Sequence, residues 1–513
     1  MKLRSNILKL SLFATGLSGI VAEYILSTLA TYFLGNSVFQ WTMIVSIMMF
    51  SMGLGSRISK YFHKNLLEKF IIMEFLLSIM VSFSSLIVYF SSSYTSYIGF
   101  IIYFMSIVIG ILIGMEIPLV IRLNNEFESL RINVASIIEK DYYGSLAGGL
   151  FFAFIGLPYL GLTYTPFILG MINFLVALLL FFILYKHLKN KVKFIFNISY
   201  ILVFTILIVG TFIAKPVILF GEQKKYKDKV IFSKQSVYQK IVITKWKEHF
   251  WLYINGNQQL STLDEVLYHE PLVHPVMQMS KNPCDILVMG GGDGCAVREI
   301  LKYDMVKNIT LIDLDPEMTK IGKENHIFRK LNENAFHNKK VKIFNEDAFN
   351  FLEKTQNFYD VIIIDLPDPR TIELGRLYSY EFYKQCYKHL RKNGFVITQA
   401  GSPYYATKSF LCIDKTMSKA GFETQKLHNQ ILTLGEWGWI IGAKNMKKNF
   451  LKKTIKNLKF KNIHTKWLNN EAMSLMSSFG KNIYVYEIDT IEINSIHNPV
   501  LYNYYLKGNW DLY

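Results

Sequence analysis

The chain has 513 residues, which is long enough for more than one domain. Hydrophobic residues make up 51% and charged residues only 19%, and this composition excludes an ordinary soluble protein. The net charge of +17 is typical of a membrane protein with basic residues on its cytoplasmic side, so no nucleic-acid partner is expected.

The apolar excess lies before about residue 220 and predicts a multi-span α-helical membrane domain over residues 1–222, in contact with lipid of the cell (inner) membrane. A span needs roughly 20 apolar residues. Seven segments meet this length, and they cover residues 7–34, 38–59, 67–91, 96–122, 142–160, 164–186 and 196–220. Glu23, Glu74 and Glu116 fall in or near these segments, where a carboxylate is costly and often functional; interhelical hydrogen bonding or an interfacial position is the alternative.

The sidedness of the polar half is open. Lys2, Arg4 and Lys9 place the N-terminus inside by the positive-inside rule. Seven full crossings would then put the polar half outside, whereas one re-entrant or uncounted segment would keep it cytoplasmic. We expect the cytoplasmic arrangement. The cysteines form no C-x-x-C pair, and as reduced thiols they favour the cytosol; they are Cys284, Cys295, Cys386 and Cys412.

A linker and a small N-terminal β-unit are predicted over residues 223–262. Two β-rich runs, Gln239–Thr244 and Phe250–Ile254, precede Asn255-Gly256, which is typical of a type I′ hairpin turn. A helical pattern follows from Leu263 to Ser280.

An α/β Rossmann-like domain of the class I methyltransferase type is predicted over residues 263–445. Apolar strands alternate there with helical stretches, as in a parallel, doubly wound sheet. The strands are Ile286–Met289, Ile309–Ile312, Val341–Phe344, Val361–Ile364 and Phe395–Gln399, with Ile431–Leu434 and Trp439–Ala443 as a closing pair at the sheet edge. Residues 446–513 form a C-terminal extension whose role the sequence does not reveal.

The first strand runs into the glycine turn Gly290–Gly294, which predicts a nucleotide-binding loop. Asp293 within this turn would repel a pyrophosphate and attract a cation, so an adenosyl ligand with a nearby positive charge is favoured. Ligands bind beyond the carboxyl ends of such strands, and four of those ends are acidic. The acids are Asp293, Asp313, Asp347, and the pair Asp365 and Asp368.

These carboxylates suggest an amine substrate beside an adenosyl ligand. Asp313 follows the glycines by about 20 residues, where a carboxylate takes ribose hydroxyls, and Asp347 is placed near an adenine amino group. Asp293, Asp365 and Asp368 would form an acidic cleft for a polycationic amine. Because an amine must lose a proton to attack carbon, Asp365 is the candidate base and the other two are amine anchors. For any one acid, a capping or solvated role is the alternative.

The pattern resembles the spermidine synthase family of polyamine aminopropyltransferases over roughly Phe232–Asn445. The matching motifs are SVYQKI, NGNQQLSTLDEVLYHE, GGGDG, DLD, NEDA and YDVIIIDLPDP. The resemblance implies decarboxylated S-adenosylmethionine as co-substrate, a diamine acceptor for which putrescine is expected, and no permanently bound cofactor. The spacing of the candidate ligands predicts no metal site. Products would be spermidine and methylthioadenosine, and a homo-oligomer is possible.

The resemblance also implies roles for individual residues. The cofactor-binding group comprises Gln239, Gly290, Gly292, Asp313, Asp347 and Ala348. The substrate-binding group comprises Gln259, Tyr268, His269, Asp293 and Asp368, with Asp365 as proton acceptor.

Leu366-Pro367 stands where the family carries small hydroxyl residues. Together with Gly435-Glu436-Trp437-Gly438 and the multi-span N-terminus, it resembles the bacterial membrane-fused branch. Glu436 is either a further amine ligand or a surface acid, and His274 and His389 are interpreted as structural. Two other functions remain open: an S-adenosylmethionine-dependent methyltransferase, and a non-catalytic membrane protein that binds or transports polyamines.

Overall fold

The computed structural model describes residues 2–125, 129–185, 190–447, 449–480 and 488–510. The chain divides into two compact units, Met1–Val237 and Tyr238–Tyr513. Parts of the predicted basic loop Lys186–Lys193 and of the C-terminal extension lie outside the described residues. The finer division into four segments stays a prediction.

The first unit is built from long apolar helices. They are α1 (Lys2–Leu34), α2 (Ser37–Ser59), α3 (Leu66–Ser92), α4 (Ile98–Asn124), α5 (Leu130–Phe151), α6 (Gly161–Leu184) and α7 (Asn190–Lys225), with a π-helical segment (Phe152–Leu160) between α5 and α6 and a short strand β1 (Lys229–Gln235) at the end. Each predicted apolar segment corresponds to one of these helices, the fifth running from α5 into the π-helical segment. The helical fold of this half is therefore confirmed.

Within the described residues, six helical stretches are long and apolar enough to cross a membrane. The longest covers residues 130–183, and at about 1.5 Å per residue it would far exceed the thickness of a bilayer if it were straight. Its regular helical backbone is interrupted at Gly161, whose φ is +62°. The Thr165 hydroxyl, which follows this residue, donates to the Gly156 carbonyl oxygen, which precedes it, at 2.9 Å.

Small residues let these helices approach closely. A Cβ at Gly144 of α5 would overlap the backbone carbonyl of Phe13 in α1, and one at Gly114 of α4 would overlap that of Met52 in α2. Where both helix surfaces are as apolar as lipid, such close contact supplies much of the packing energy.

The second unit begins with an antiparallel meander of β2 (Lys240–Trp246), β3 (His249–Ile254) and β4 (Asn257–Ser261). Asn255 and Gly256 between β3 and β4 both have positive φ, at +50° and +80°, as a type I′ turn requires. The predicted hairpin is thus present.

A seven-stranded sheet follows, in the order β10-β11-β9-β8-β5-β6-β7. Its strands are β5 (Asp285–Gly290), β6 (Asn308–Ile312), β7 (Val341–Phe344), β8 (Tyr359–Asp365), β9 (Leu390–Gln399), β10 (Glu423–Ile431) and β11 (Gly435–Ala443). Strands β5 to β9 pair in parallel and β11 pairs antiparallel with β9 and β10. The chain moves outward from β5 through β6 and β7 and then returns to β8, so the strand order reverses at β5.

Helices cover both faces of this sheet. They are α8 (Val266–Met279), α9 (Cys295–Leu301), α10 (Pro316–Glu324), α11 (His326–Leu331), α12 (Ala348–Lys354), α13 (Ile372–Arg376), α14 (Tyr380–His389) and α15 (Thr407–Lys419), with a 3-10 turn at Ala335–His337. The predicted Rossmann-like fold is confirmed.

The closing strand pair differs from its prediction. Ile431–Leu434 was expected as a strand, but β10 occupies Glu423–Ile431 and the chain turns before β11 begins at Gly435. This expectation was wrong because β10, with the sequence ETQKLHNQI, is an edge strand with few apolar residues. A prediction that rests on runs of apolar residues does not detect such a strand.

The C-terminal extension completes the second unit. It carries α16 (Phe450–Lys456), α17 (Asn470–Met476), a 3-10 turn at Ile488–Thr490 and α18 (Val500–Leu506). Leu451 and Met476 join the hydrophobic core on one face of the sheet, and Ile491 and Leu501 join the core on the other. The extension is therefore part of the packed fold.

Candidate active site

The candidate site lies at the reversal point of the sheet, beyond the carboxyl ends of β5, β6 and β8. Gly290 is directly opposite Asp365 in the parallel ladder. It has a φ of +82°, and a Cβ at this position would overlap the carbonyl oxygen of Asp365. Only glycine allows the two strands to end this close together. The Gly291 N–H then donates to the same carbonyl at 3.1 Å.

Most of the predicted site residues meet at one cleft in this unit. The predicted residues that line it are Gln239, Gln259, Tyr268, His269, Gly290, Gly292, Asp293, Asp313, Asp365 and Asp368. Asp347 and Ala348 are not among the lining residues. The sequence thus predicted a set of distant residues that the fold brings together, with two exceptions at the end of β7.

Three side chains form a compact polar cluster in the cleft. Donor or acceptor atoms of His269, Asp293 and Asp365 all lie within 4.8 Å of one another. His269 Nε2 lies 3.8 Å from Asp293 Oδ1, and the Cys295 N–H donates to the same oxygen at 2.8 Å. Two carboxylates at this spacing can accept from a single ammonium group.

A buried ion network holds His269. Its Nδ1 lies 2.8 Å from a Glu265 carboxylate oxygen, and Arg298 makes two further contacts to Glu265 at 2.8 and 3.0 Å. Burial by itself lowers the pKa of His269, but the hydrogen bond to Glu265 and the charge of Asp293 outweigh it and raise the pKa to about 9. His269 is therefore cationic at neutral pH, and the three-residue cluster carries a net charge of about −1 once both aspartates are ionised.

Asp365 has the properties of a proton acceptor. Burial is the largest influence and, together with the charge of Asp293, raises the pKa of the Asp365 carboxyl to about 6. The charge of His269 and a 2.7 Å hydrogen bond donated by the Tyr268 hydroxyl act in the opposite direction. A carboxylate with a pKa just below neutral is mostly ionised in the cell and still basic enough to accept a proton.

Asp313 lies at the end of β6, against the glycine turn. A Cβ on Gly292 would come within 2.6 Å of an Asp313 carboxylate oxygen, so a larger residue here would displace that side chain. Burial, followed by the neighbouring charges of Asp315 and Asp293, raises the pKa of Asp313 to about 7, while a hydrogen bond from the Asp315 N–H limits the rise. The carboxylate stands where a ligand hydroxyl can donate to it.

Asp347 has a different environment. It is the N-cap of α12, where one carboxylate oxygen accepts from the Asn350 N–H at 2.9 Å and the other contacts Arg376 at 2.6 Å. Asp347 therefore has the helix-capping role that is the alternative function for each of these acids. Contact of Asp347 and Ala348 with an adenine stays a prediction.

Asp368 is contacted by residues that sequence reasoning missed. One carboxylate oxygen accepts from the Tyr505 hydroxyl at 2.6 Å and lies 3.6 Å from the Arg370 guanidinium. The other oxygen is buried without a hydrogen-bond partner among the described residues. Arg370 also lies over the rings of Tyr505 and Trp510. No local motif marks Tyr505, because it lies 137 residues away in α18.

Gln399 is a second residue without a sequence signal. Its side-chain amide donates to the Leu366 carbonyl at 2.8 Å and its oxygen accepts from the Gly401 N–H at 2.9 Å. It also lines the cleft. Gln399 therefore fixes the loop that carries Asp365 and Asp368.

The isolated candidates are placed elsewhere. Glu436 is paired with His428 and does not line the cleft, so the amine-ligand interpretation gains no support. His274 lies 2.8 Å from Glu299 in the buried interior, and His389 contacts the Asn357 carbonyl at 3.0 Å. Both histidines have the structural surroundings expected of them.

A doubly wound fold with a glycine turn and an acidic cleft defines a transferase-type site for a nucleoside and a cationic partner. Comparison with known proteins makes this specific. Residues 265–455 match the family model described as spermine/spermidine synthase domain. The chain is 44% identical over 510 residues to polyamine aminopropyltransferase 2 of Aquifex aeolicus, covering 98% of this chain and 99% of the relative.

A second relative, polyamine aminopropyltransferase of Leptospira interrogans, is 36% identical over 490 residues, with 95% of each chain covered. Among solved structures, a spermidine synthase in complex with the transition-state analogue AdoDATO is 27% identical, covering 49% of this chain and 86% of that chain, with a TM-score of 0.45. The chain belongs to the polyamine aminopropyltransferase family and is an enzyme that transfers aminopropyl groups. The similarity to the first relative extends over the helical unit as well as the catalytic unit.

Proposed function

We propose that this enzyme moves the aminopropyl group of decarboxylated S-adenosylmethionine to putrescine and releases spermidine and methylthioadenosine. The observation that carries the proposal is the acidic cluster of Asp293 and Asp365 beside the glycine turn, with Asp368 in the same cleft. A methyltransferase on the same fold has no need for an acidic cleft of this kind.

In the proposed reaction, the amine nitrogen attacks the aminopropyl carbon that is bonded to the sulfonium sulfur. A new C–N bond forms, the C–S bond breaks, and its electron pair leaves with methylthioadenosine. Before the attack, the bound ammonium group passes a proton to Asp365, which gives the nitrogen the lone pair that it needs. The Tyr268 hydroxyl orients the Asp365 carboxylate at 2.7 Å. Positioning and proton acceptance are thus the main contributions of the protein.

The acceptor is proposed to bind through its two ammonium groups. Asp293 and Asp365 would hold the attacking end, and the unpartnered oxygen of Asp368 would accept from the other end. Arg370 lies 3.6 Å from the other carboxylate oxygen of Asp368. A diamine, with one ammonium group at each end, matches these two anchoring points.

The donor is proposed to lie over the glycine turn. Asp313 would accept from the ribose hydroxyls, Gln239 would contact the thioether portion, and Asp347 and Ala348 would approach the adenine. Gln259 would line the amine side of the same cleft. The close approach of the Gly292 backbone to Asp313 supports this position, since it leaves the strand end open to a ligand.

We further propose that the helical unit lies in the cell (inner) membrane, in contact with lipid, and that the catalytic unit is cytoplasmic. Six long apolar helical stretches in the described residues support a membrane location. The cytoplasmic side is proposed because the adenosyl donor and reduced thiols belong to that compartment.

The decisive experiment is Asp365→Asn in the purified full-length enzyme. Methylthioadenosine release from decarboxylated S-adenosylmethionine and putrescine, followed by mass spectrometry, should fall by about 10²–10⁴-fold, because the general base is lost. Asp304→Asn, at an exposed position of the same unit, is the matched control and should keep the wild-type rate. An undiminished rate in Asp365→Asn would show that the proton acceptor is another group.

A further inference from the structure

The interior of the helical unit contains a polar cluster that the transfer reaction does not use. We call it the carboxylate cluster, and it consists of Thr15 and Ser18 of α1, Glu74 of α3, Glu116 of α4 and Asn173 of α6. Thr15 and Ser18 form hydrogen bonds to side chains of other helices as well as to carbonyl oxygens of their own helix. Glu74, Glu116 and Asn173 have no exposed surface.

Helix α1 forms hydrogen bonds to two of the other helices of the cluster, α4 and α6. Thr15 donates a hydrogen bond to one carboxylate oxygen of Glu116, and the other oxygen is buried without a partner. One turn further along α1, the Ser18 hydroxyl donates to the Asn173 side-chain oxygen at 3.0 Å. The amide nitrogen of Asn173 is likewise buried without a partner. Hydrogen-bonding capacity therefore remains open on both sides of α1.

Glu74 lies on α3, close to the position of Asn173 on the neighbouring helix α6. Helices α3 and α6 run antiparallel in close contact, since the Ser78 hydroxyl donates to the Gly170 carbonyl at 2.6 Å and the Phe75 and Phe174 ring centroids are 5.9 Å apart. Glu74 is adjacent to Phe75, as Asn173 is to Phe174. Glu74 also interacts electrostatically with Glu116. Both of its carboxylate oxygens are buried without a hydrogen-bond partner.

No basic side chain balances these acids within the described residues. Neither Glu74 nor Glu116 forms an ion pair, and the charged group facing Glu116 from α5 is another acid, Asp141. Two ionised carboxylates in an apolar interior would cost several kcal/mol each without a counter-ion. The pair must therefore hold protons or bind a cation, and groups of this type inside a membrane commonly mark a route for protons or ions.

We propose that Glu74 and Glu116 form an intramembrane exchange site that holds either two protons or the two ammonium groups of an alkyl diamine. The choice of amine rests on the proposed function of the catalytic unit. In the conformation described here the site is sealed from solvent and carries protons. When the site opens, each acid would release one proton and one diamine dication would bind. The net charge of the site would therefore be the same before and after the exchange.

The test uses the full-length protein reconstituted in vesicles that contain a pH-sensitive dye. Addition of putrescine outside the vesicles should move protons out of them, and radiolabelled putrescine should accumulate inside. Glu74→Gln and Glu116→Gln, which keep the side-chain shape, should lose both signals. Glu68→Gln, in the first turn of the same helix α3, is the matched control and should retain them.

Aminopropyl transfer is measured on the same preparations. It should be unchanged in the Glu74 and Glu116 variants, which separates this proposal from the catalytic one. A circular dichroism spectrum and thermal transition like those of the wild type should show that their helical unit is folded. The proposal is overturned if the wild-type protein moves no protons on addition of putrescine, if it moves protons without amine uptake, or if both glutamine variants keep the two signals. Loss of transfer activity with intact exchange would contradict the proposed function instead.

Discussion

Asp365 shows how the chemistry depends on individual residues. Burial raises its pKa to about 6, and the opposing effects of His269 and Tyr268 keep it below neutral. The transfer rate should therefore fall as the pH drops through about 6, because the carboxylate becomes protonated and can no longer accept the proton of the amine.

Tyr268→Phe tests this tuning. The substitution removes the hydrogen bond to the ionised carboxylate, so the pKa of Asp365 rises and the acidic limb of the rate profile moves to higher pH. A hydrogen bond to a charged group is worth about 1.5–3 kcal/mol, which corresponds to a shift of about 1–2 pH units. The measurement is kcat/KM for putrescine against pH, and Tyr303→Phe, whose hydroxyl contacts His274 outside the cleft, is the control. An unmoved limb would contradict the assignment of Asp365 as the ionising group.

At the scale of elements, the C-terminal helix α18 contacts a carboxylate of the candidate cleft. Tyr505 on this helix donates to Asp368, and Arg370 stacks on Tyr505. The helix is held because Leu501 is buried in the hydrophobic core beside β8 and β9. An extension without a recognisable motif thus orients one of the carboxylates assigned to the acceptor amine.

Tyr505→Phe should weaken acceptor binding more than it slows the chemical step. Loss of a hydrogen bond to a charged group costs about 1.5–3 kcal/mol, which corresponds to about 10- to 150-fold in KM for the amine. Initial rates at varied putrescine concentration measure this effect, and KM for the adenosyl donor serves as an internal reference. Tyr502→Phe, on the same helix, is the control. A change confined to kcat would argue against an amine-anchoring role for Asp368.

At the scale of the whole molecule, a large apolar helical unit and an α/β catalytic unit are parts of one chain, and relatives share this combination over nearly their full length. The catalytic unit can bury its apolar surface on both faces of the sheet without help from lipid. The helical unit, in contrast, leaves many large apolar side chains exposed, as expected for helices in contact with lipid.

The side of the membrane is tested with a reporter fused after Tyr513. We expect fluorescence from a green fluorescent protein fusion and no alkaline phosphatase activity from the matching phosphatase fusion, because the catalytic unit is proposed to be cytoplasmic. The same two reporters fused to a separately characterised periplasmic protein give the opposite control signals. Phosphatase activity at Tyr513 would instead support seven full crossings from an N-terminus inside the cell.

The sequence by itself determined the class of each half and most of the catalytic cleft. Twenty-residue apolar segments, alternating strands and the GGGDG turn are local patterns, and each is fixed by the chemistry of neighbouring residues. The acids at the strand ends were predictable for the same reason, since parallel strands deliver their carboxyl ends to one edge. Ten of the twelve predicted site residues line the cleft on this basis.

Only the tertiary structure decided the contacts between distant segments. The sequence predicted Asp347 near an adenine amino group, and only the structure shows that Arg376 and the start of α12 hold its carboxylate. Tyr505 and Gln399 reach the site from positions without a motif. In the helical unit, the sequence placed Glu74 and Glu116 in apolar segments but left their partners unknown. Side-chain partners depend on how helices and strands pack, and a local pattern carries no information about which distant residue will satisfy a buried charge.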